Sequence, residues 1–301
     1  MLKEKIILDS HTLVSFDFAN LEELLNYIET TKPEYSYWGH NLSSRNNNYN
    51  FNESHSLEEA IKLCRLGDMG KYVDVFAGQT QLGFNCQNID NKRKGTLKQY
   101  GYRPNIARSR VGHPMQMYHI ERDNSRKFIN IFFNCNIQGN IPRQIIFNRG
   151  MIVLDLIKLL ELLNYRVNLN FFDLSYDGNE WCLIKTNIKK FGDKIDPNIC
   201  YFPMSHPAFS RRILLAVKET VVFDSPNWVF SYGIIPDVEK IKKFLDIGDN
   251  DIVISGNLNM SGNLIDDVQT FIDEINLTNY LDKGQDIIFD TNTKKFVLRK
   301  K

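Results

Sequence analysis

The sequence predicts an α/β protein with a doubly wound, mostly parallel sheet and a partly helical N-terminal region. Three observations carry this. A short apolar run (FINIFF), a helically spaced segment (MIVLDLIKLLELLNY) and a second β-rich run (VNLNFFDL) follow one another between residues 127 and 175. That order is the strand–helix–strand unit from which parallel sheets are built. FINIFF suits a strand covered on both faces. Strand and helix patterns then go on alternating to residue 260, as in doubly wound sheets.

From the N-terminus, TLVSFDF (residues 12–18) reads as a short strand. Asn20 is placed to cap a helix whose apolar face is Leu21, Leu24, Leu25 and Ile28, and Pro33 ends it. YSYWGHNLSSRNNNYNFNES has no period and reads as a long surface loop. Ser54 or Ser56 caps the next helix, SLEEAIKLCRLGD; Glu59 is placed for a capping box and Leu57, Ala60, Ile61 and Cys64 form the buried side. Gly67 and Gly70 close it. In residues 71–126, YVDVFAGQTQLGF fits strand or helix, and Pro104 and Pro114 bracket a short element with Ile106, Val111 and Gly112.

The central helix opens at Asn148 or Arg149–Gly150, with Ile152, Leu156, Leu159, Leu160 and Leu163 as its stripe. After VNLNFFDL, Asp177-Gly178-Asn179 turns the chain into a hairpin partner, EWCLIKTNI, and Asp173 and Asp177 are expected to serve that turn. FGDKIDPNICYFPMSHPAF reads as irregular, and Ser210 starts a helix, RRILLAVKETVV. Trp228–Tyr232 is a strand candidate, Pro236 opens PDVEKIKKFLDIG as a helix, DIVIS is a strand and LIDDVQTFIDEINL an amphipathic helix. QDIIFD and KFVLRK end the chain as a hairpin. The expected division is an N-terminal α+β region, residues 1–126, packed on an α/β domain, residues 127–301.

Composition narrows the function classes. The formal net charge is +1, so the whole molecule exerts no pull on nucleic acid or membrane. Five cysteines, scattered and without a CxxC pair, argue for a reducing compartment and against a disulfide framework or zinc ribbon. The N-terminus lacks the apolar core of a signal peptide and no stretch approaches ~20 apolar residues, so a cytoplasmic, membrane-free protein is expected. Abundant Asn, Ile and Lys fit an AT-rich genome.

No GxGxxG, GxxxxGK[ST], HExxH or GxSxG is present, so dinucleotide, P-loop, zincin and serine-hydrolase chemistry lack their usual support. No cofactor and no catalytic residue is expected. His206, flanked by Ser205 and Ser210, reads first as a loop histidine that caps or packs; an enzyme acting at His206 with Asn134 is the remote alternative. The loop leaving FINIFF places Asn134, Asn136 and Gln138 at alternate positions, where open α/β sheets bind ligands. This spacing, and the order strand, helix, strand, antiparallel strand, helix, resembles the metal-ion-dependent adhesion site and fold of von Willebrand factor A domains. That family's carboxylate and two serines fall here on Asn134, Asn136 and Gln138, and amides hold a hard cation poorly, so no metal is expected.

Four blocks, SLEEAIKLCRLGD, GYRPNIARSRVGHPMQM, NRGMIVLDLIKLLELLNYRVNL and YFPMSHPAFSRRILLAVKE, resemble in order and spacing an uncharacterised family of bacteriophage and prophage proteins. The resemblance implies a viral origin, action in a bacterial host cytoplasm or virion, and no assigned activity. The leading expectation is a non-enzymatic phage protein that engages a phage or host protein through strand-top loops, using Asn134, Asn136, Gln138, Arg143, Arg149, His206, Arg211 and Arg212. The alternative is nucleic-acid binding by the basic segment 92–127, with Lys92, Arg93, Lys94, Arg103, Arg108 and Arg110 for phosphate and Tyr102 for stacking.

Overall fold

The computed structural model describes residues 2–8, 11–33, 44–45, 49–67, 94–100, 103–121, 127–163, 165–177, 179–221, 238–245, 247–248, 251–256, 261, 263–275, 277, 285–290 and 295–300. In chain order the described elements begin with β1 (Leu2–Leu8), β2 (His11–Phe18), α1 (Leu21–Thr30), α2 (Tyr49–Asn52) and α3 (Leu57–Leu66). A small unit follows: β3 (Lys94–Lys98), β4 (Arg103–Pro104), α4 (Ile106–Arg110) and β5 (Met117–Glu121). The central segment holds β6 (Lys127–Asn134), α5 (Arg143–Leu162), β7 (Tyr165–Asp177), β8 (Glu180–Lys189), α6 (Pro197–Ser205), a π-helix (Phe209–Leu214) and α7 (Leu215–Lys218). The chain continues through α8 (Val238–Leu245), β9 (Ile252–Ile254), α9 (Leu264–Glu274), β10 (Gln285–Asp290) and β11 (Lys295–Lys300).

The six-stranded sheet has the order β1-β2-β8-β7-β6-β9. Pairing is parallel at β2–β8, β7–β6 and β6–β9 and antiparallel at β1–β2 and β8–β7, so the sheet is mixed. The tight turn after β7 forces β8 to return antiparallel, whereas the α5 crossover lets β7 run parallel to β6. β2 sits inside this sheet beside β8, so the sheet crosses the boundary expected at residue 126. β1, absent from the expected elements, is the edge strand; its Lys3, Glu4 and Lys5 are exposed, charges that blunt an open edge.

Local chemistry explains the helices. Asn20 Oδ1 accepts from the Glu23 amide at 2.9 Å, and Leu21, Leu24, Leu25 and Ile28 are buried. Ser56 Oγ accepts from Glu59 N at 3.1 Å, and the Glu59 carboxylate reaches back to the His55 amide. Gly67 ends α3 at φ +63°, a left-handed position that glycine takes without strain. α5 begins five residues before the expected Asn148, at Arg143 behind Pro142. It buries Ile146, Phe147 and Met151 as well as Ile152, Leu156, Leu159 and Leu160 of the predicted stripe, so its apolar surface is wider than one stripe. The expected irregular stretch holds α6, which opens on Pro197, a first-turn position where the missing amide costs nothing.

One face of the sheet carries α1, α3, α5, α6, the π-helix, α7 and α9, packed around Phe16, Phe18, Phe133, Leu169 and Phe171. The other face is more lightly covered: Leu13, Phe132, Phe172, Leu174, Trp181 and Leu183 meet Ile241 and Leu245 of α8. Alternate residues of β7 point to opposite faces, which puts Asp173 in the helical layer. There it meets Lys218 at 2.8 Å, and neither side chain has any exposure. Asp173 therefore pins a helix to the sheet, a correction to its expected role in the turn. Among the described residues no helix is long and apolar enough to cross a membrane.

The Asp173–Lys218 pair makes a measurable prediction. Lys218→Met leaves a buried, unpaired carboxylate and is expected to lower unfolding stability by about 3–5 kcal/mol, whereas adding Asp173→Leu restores most of the loss. Urea titration of the single and double variants checks this.

Candidate functional site

At the carboxyl end of β6, Asn134, Asn136 and Arg149 meet in the interior, and Arg211 reaches the loop that follows. Asn134 and Asn136 have no exposure, and Arg149, His206, Arg211 and Arg212 are buried. Gln138 is half-buried, and Arg143 is open to water beside Glu53, at 2.9 Å. Of the eight residues expected on a polar surface, six are therefore buried, and Gln138 and Arg143 are the two that reach solvent. Polar loops usually belong to the surface; here Cys135–Ile137 are buried, while Gly139, Asn140 and Pro142 remain exposed.

At its centre, Asn134 Oδ1 accepts from the Asn136 amide at 2.9 Å and Asn136 Nδ2 donates to Leu174 O at 3.4 Å. Arg149, projecting from α5, donates through Nη2 to the carbonyls of Asn134 and, at 3.5 Å, of Ile254. Its guanidinium lies 4.2 Å from the centre of the Phe133 ring. Arg149 Nε and Nη1 and Asn134 Nδ2 meet no acceptor among the described residues. Burial draws the Arg149 guanidinium down to about 10, so it remains a cation at neutral pH.

Above it lies the π-helix, which buries both arginines that the sequence placed at the start of a helix and among the partner-binding residues. Arg211 Nη2 donates to Gly139 O at 3.2 Å, holding the loop after β6. Arg212 spends all three nitrogens: Nε on Ser54 Oγ at 2.6 Å, Nη1 on Ser44 O at 2.7 Å and Nη2 on Ser54 O at 2.8 Å. Beside it, Glu219 accepts from Ser44 N at 2.8 Å and Ser44 Oγ at 2.6 Å. His206 Nδ1 accepts from Ala208 N at 3.1 Å and the ring stacks on Phe202, a capping and packing role. α5 and α6 approach at Gly150, where an added Cβ would lie 2.1 Å from Ser205 Oγ and 2.8 Å from Met204 O. Sequence reasoning missed Lys218, Ser44, Ser54 and Glu219; a lone lysine within the apolar run ILLAVKETVV is the available signal for the first.

The small sheet, in the order β3-β5-β4, carries the described part of the basic segment. Asn105 Oδ1 caps α4 through Arg108 N at 3.2 Å, while its Nδ2 donates to Tyr118 OH at 2.8 Å. The Arg103 guanidinium lies 5.1 Å from the centre of the Tyr118 ring. Arg103 and Arg110 are exposed and Arg108 is half-buried. Around them stand Ile106 at 68%, Val111 at 77%, Met115 at 51% and Tyr100 at 65% exposure. Lys92, Arg93 and Tyr102 lie outside the described residues, as does the side chain of Lys94.

Among the described residues no three His, Cys, Asp or Glu side chains gather as a metal site requires. The described thiols are buried and held protonated: Cys182 and Cys200 are pushed up to about 12, and Cys64 and Cys135 also rise, each chiefly by desolvation.

Two arginines expected to act alike should separate on measurement. Arg212→Ala strands buried acceptors and is expected to lower unfolding stability by at least ~3 kcal/mol. Arg143→Ala, where the arginine itself is open to water, is expected to cost less than ~1 kcal/mol. Denaturant midpoints of the two variants decide.

Compared with known proteins, residues 4–279 match the model of one family, described as a domain of unknown function (DUF7192). No curated protein and no solved structure matches the chain.

Proposed function

The chain belongs to the DUF7192 family, a domain of unknown function, and from that premise we propose that it is a non-enzymatic binding protein whose small sheet engages a macromolecular partner. One observation carries the reading: Tyr100, Ile106, Val111 and Met115 are exposed on one short unit that also presents Arg103 and Arg110. Tyrosine, methionine and arginine are enriched at protein interfaces, and an apolar centre with a charged rim is their usual anatomy. The buried state of Asn134, Asn136, Arg149, His206, Arg211 and Arg212 favours this surface over the strand-top loops, leaving Gln138 and Arg143 as accessory contacts. The partner is a phage or host protein met in a bacterial cytoplasm or in the virion. The order and spacing of the four sequence blocks support that setting. The order β6, α5, β7, antiparallel β8 supports a distant likeness to von Willebrand factor A domains.

Nucleic acid is the second reading, favoured by Arg103 over Tyr118 in a segment rich in arginine. Phosphate contacts make affinity fall steeply with salt and respond alike for all sequences.

The test compares the wild-type chain with Ile106→Asp/Val111→Asp and with Arg103→Ala/Arg110→Ala. Each is cross-linked in infected bacteria, and each is titrated against fluorescent single- and double-stranded oligonucleotides at low and moderate salt. The expected result is one protein cross-linked by the wild type and absent with the aspartates, at unchanged melting temperature. Salt-dependent oligonucleotide binding would instead establish the second reading, provided the arginine substitutions weaken it and make the salt slope shallower by about one for each phosphate no longer neutralised. Unaltered behaviour of both variants would remove the small sheet as the site.

A further inference from the structure

We propose that the carboxyl ends of β6 and β9 form a binding site for a small oxyanion, a carboxylate or phosphate group, recognised by Arg149 and Asn134. Arg149 is 3% exposed, and its Nη2 is committed to the carbonyls of Asn134 and Ile254, the last residues of the two strands. The Nε–H and the two Nη1 hydrogens remain, and beside them the Nδ2 amide of the fully buried Asn134, all without an acceptor among the described residues. Each of these unspent groups is a donor, and two of the three nitrogens belong to a cation. An acceptor-only ligand carrying negative charge answers both facts, and charge-assisted bonds to guanidinium are the strong ones.

Carboxylates of the same layer are engaged elsewhere. Asp173 meets Lys218 at 2.8 Å, Glu161 meets Lys189 at 2.8 Å, and Asp267 accepts from Asn148 at 3.1 Å. Arg212 shows the contrast: it too is buried, and each of its nitrogens has a protein oxygen within 2.8 Å. The described chain supplies no such set of oxygens to Arg149. Its place also fits, since ligands of open α/β sheets lie outside the carboxyl ends of strands.

The experiment uses the full chain in thermal melts and calorimetric titrations with sodium phosphate, sodium acetate and sodium chloride at matched ionic strength. The expected result is a saturable rise in melting temperature with phosphate or acetate and none with chloride. Preference for phosphate identifies a phosphoryl ligand, and preference for acetate a carboxylate. Arg149→Met and Asn134→Leu are expected to weaken that binding at least tenfold, and if Arg149→Met fails to fold, Asn134→Leu carries the test. Arg103→Ala/Arg110→Ala must keep wild-type anion binding, which separates this site from the small sheet. Equal response to all three salts, or undiminished binding in the folded variants, would overturn the proposal.

Discussion

Every cation drawn into the helical layer must find oxygen, and the packing of that layer follows from this constraint. An isolated buried charge is prohibitively costly, so each lysine and arginine dictates what lies beside it. Lys218 holds Asp173 and thereby fixes α7 against β7. Lys189 takes Glu161 and the Val167 carbonyl, joining the end of β8 to the end of α5. Arg212 draws Ser44 and Ser54 in from the N-terminal region and closes that region over the π-helix. The apolar contacts supply the driving force for burial, but these polar ties select one arrangement of helices over neighbouring ones of similar packing. Replacing such pairs by apolar residues can be neutral for stability, so specificity is the better account of their presence.

How much of this is legible in the sequence depends on whether a residue's period or its charge is being read. α1 and α3 emerge with their caps and buried faces because Asn20 and Ser56 precede helical apolar spacing. β6, β7 and β8 emerge because their apolar runs and the turn between the last two are local signals. β1 escapes because LKEKIIL is written as an edge strand, with charges where a core strand has none. The start of α5 escapes because Arg143 and Gln144 are polar and exposed and Pro142 before them offers no side-chain cap. The candidate site is the least legible part. A polar residue in a loop reads as solvated, and no local pattern reports that Asn134, Asn136, Arg211 and Arg212 will be buried. The tie from Arg212 to Ser44 spans 168 residues, a distance over which sequence periodicity is silent.

β2 must wait for its partner while the chain is being made. Phe16 and Phe18 are fully buried, and their strand pairs in parallel with β8, whose last residue is Lys189. During synthesis from the N-terminus, β1 and β2 exist for the time needed to add the intervening residues, roughly 10–35 s at ribosomal speeds of about 5–20 residues per second. Throughout that interval a two-stranded ribbon, too small to be stable alone, keeps an unpaired edge, and only the neighbouring α1, through Tyr27, is at hand to cover Phe16 and Phe18. The order of assembly is therefore written into the strand order: the sheet closes only when β8 reaches β2.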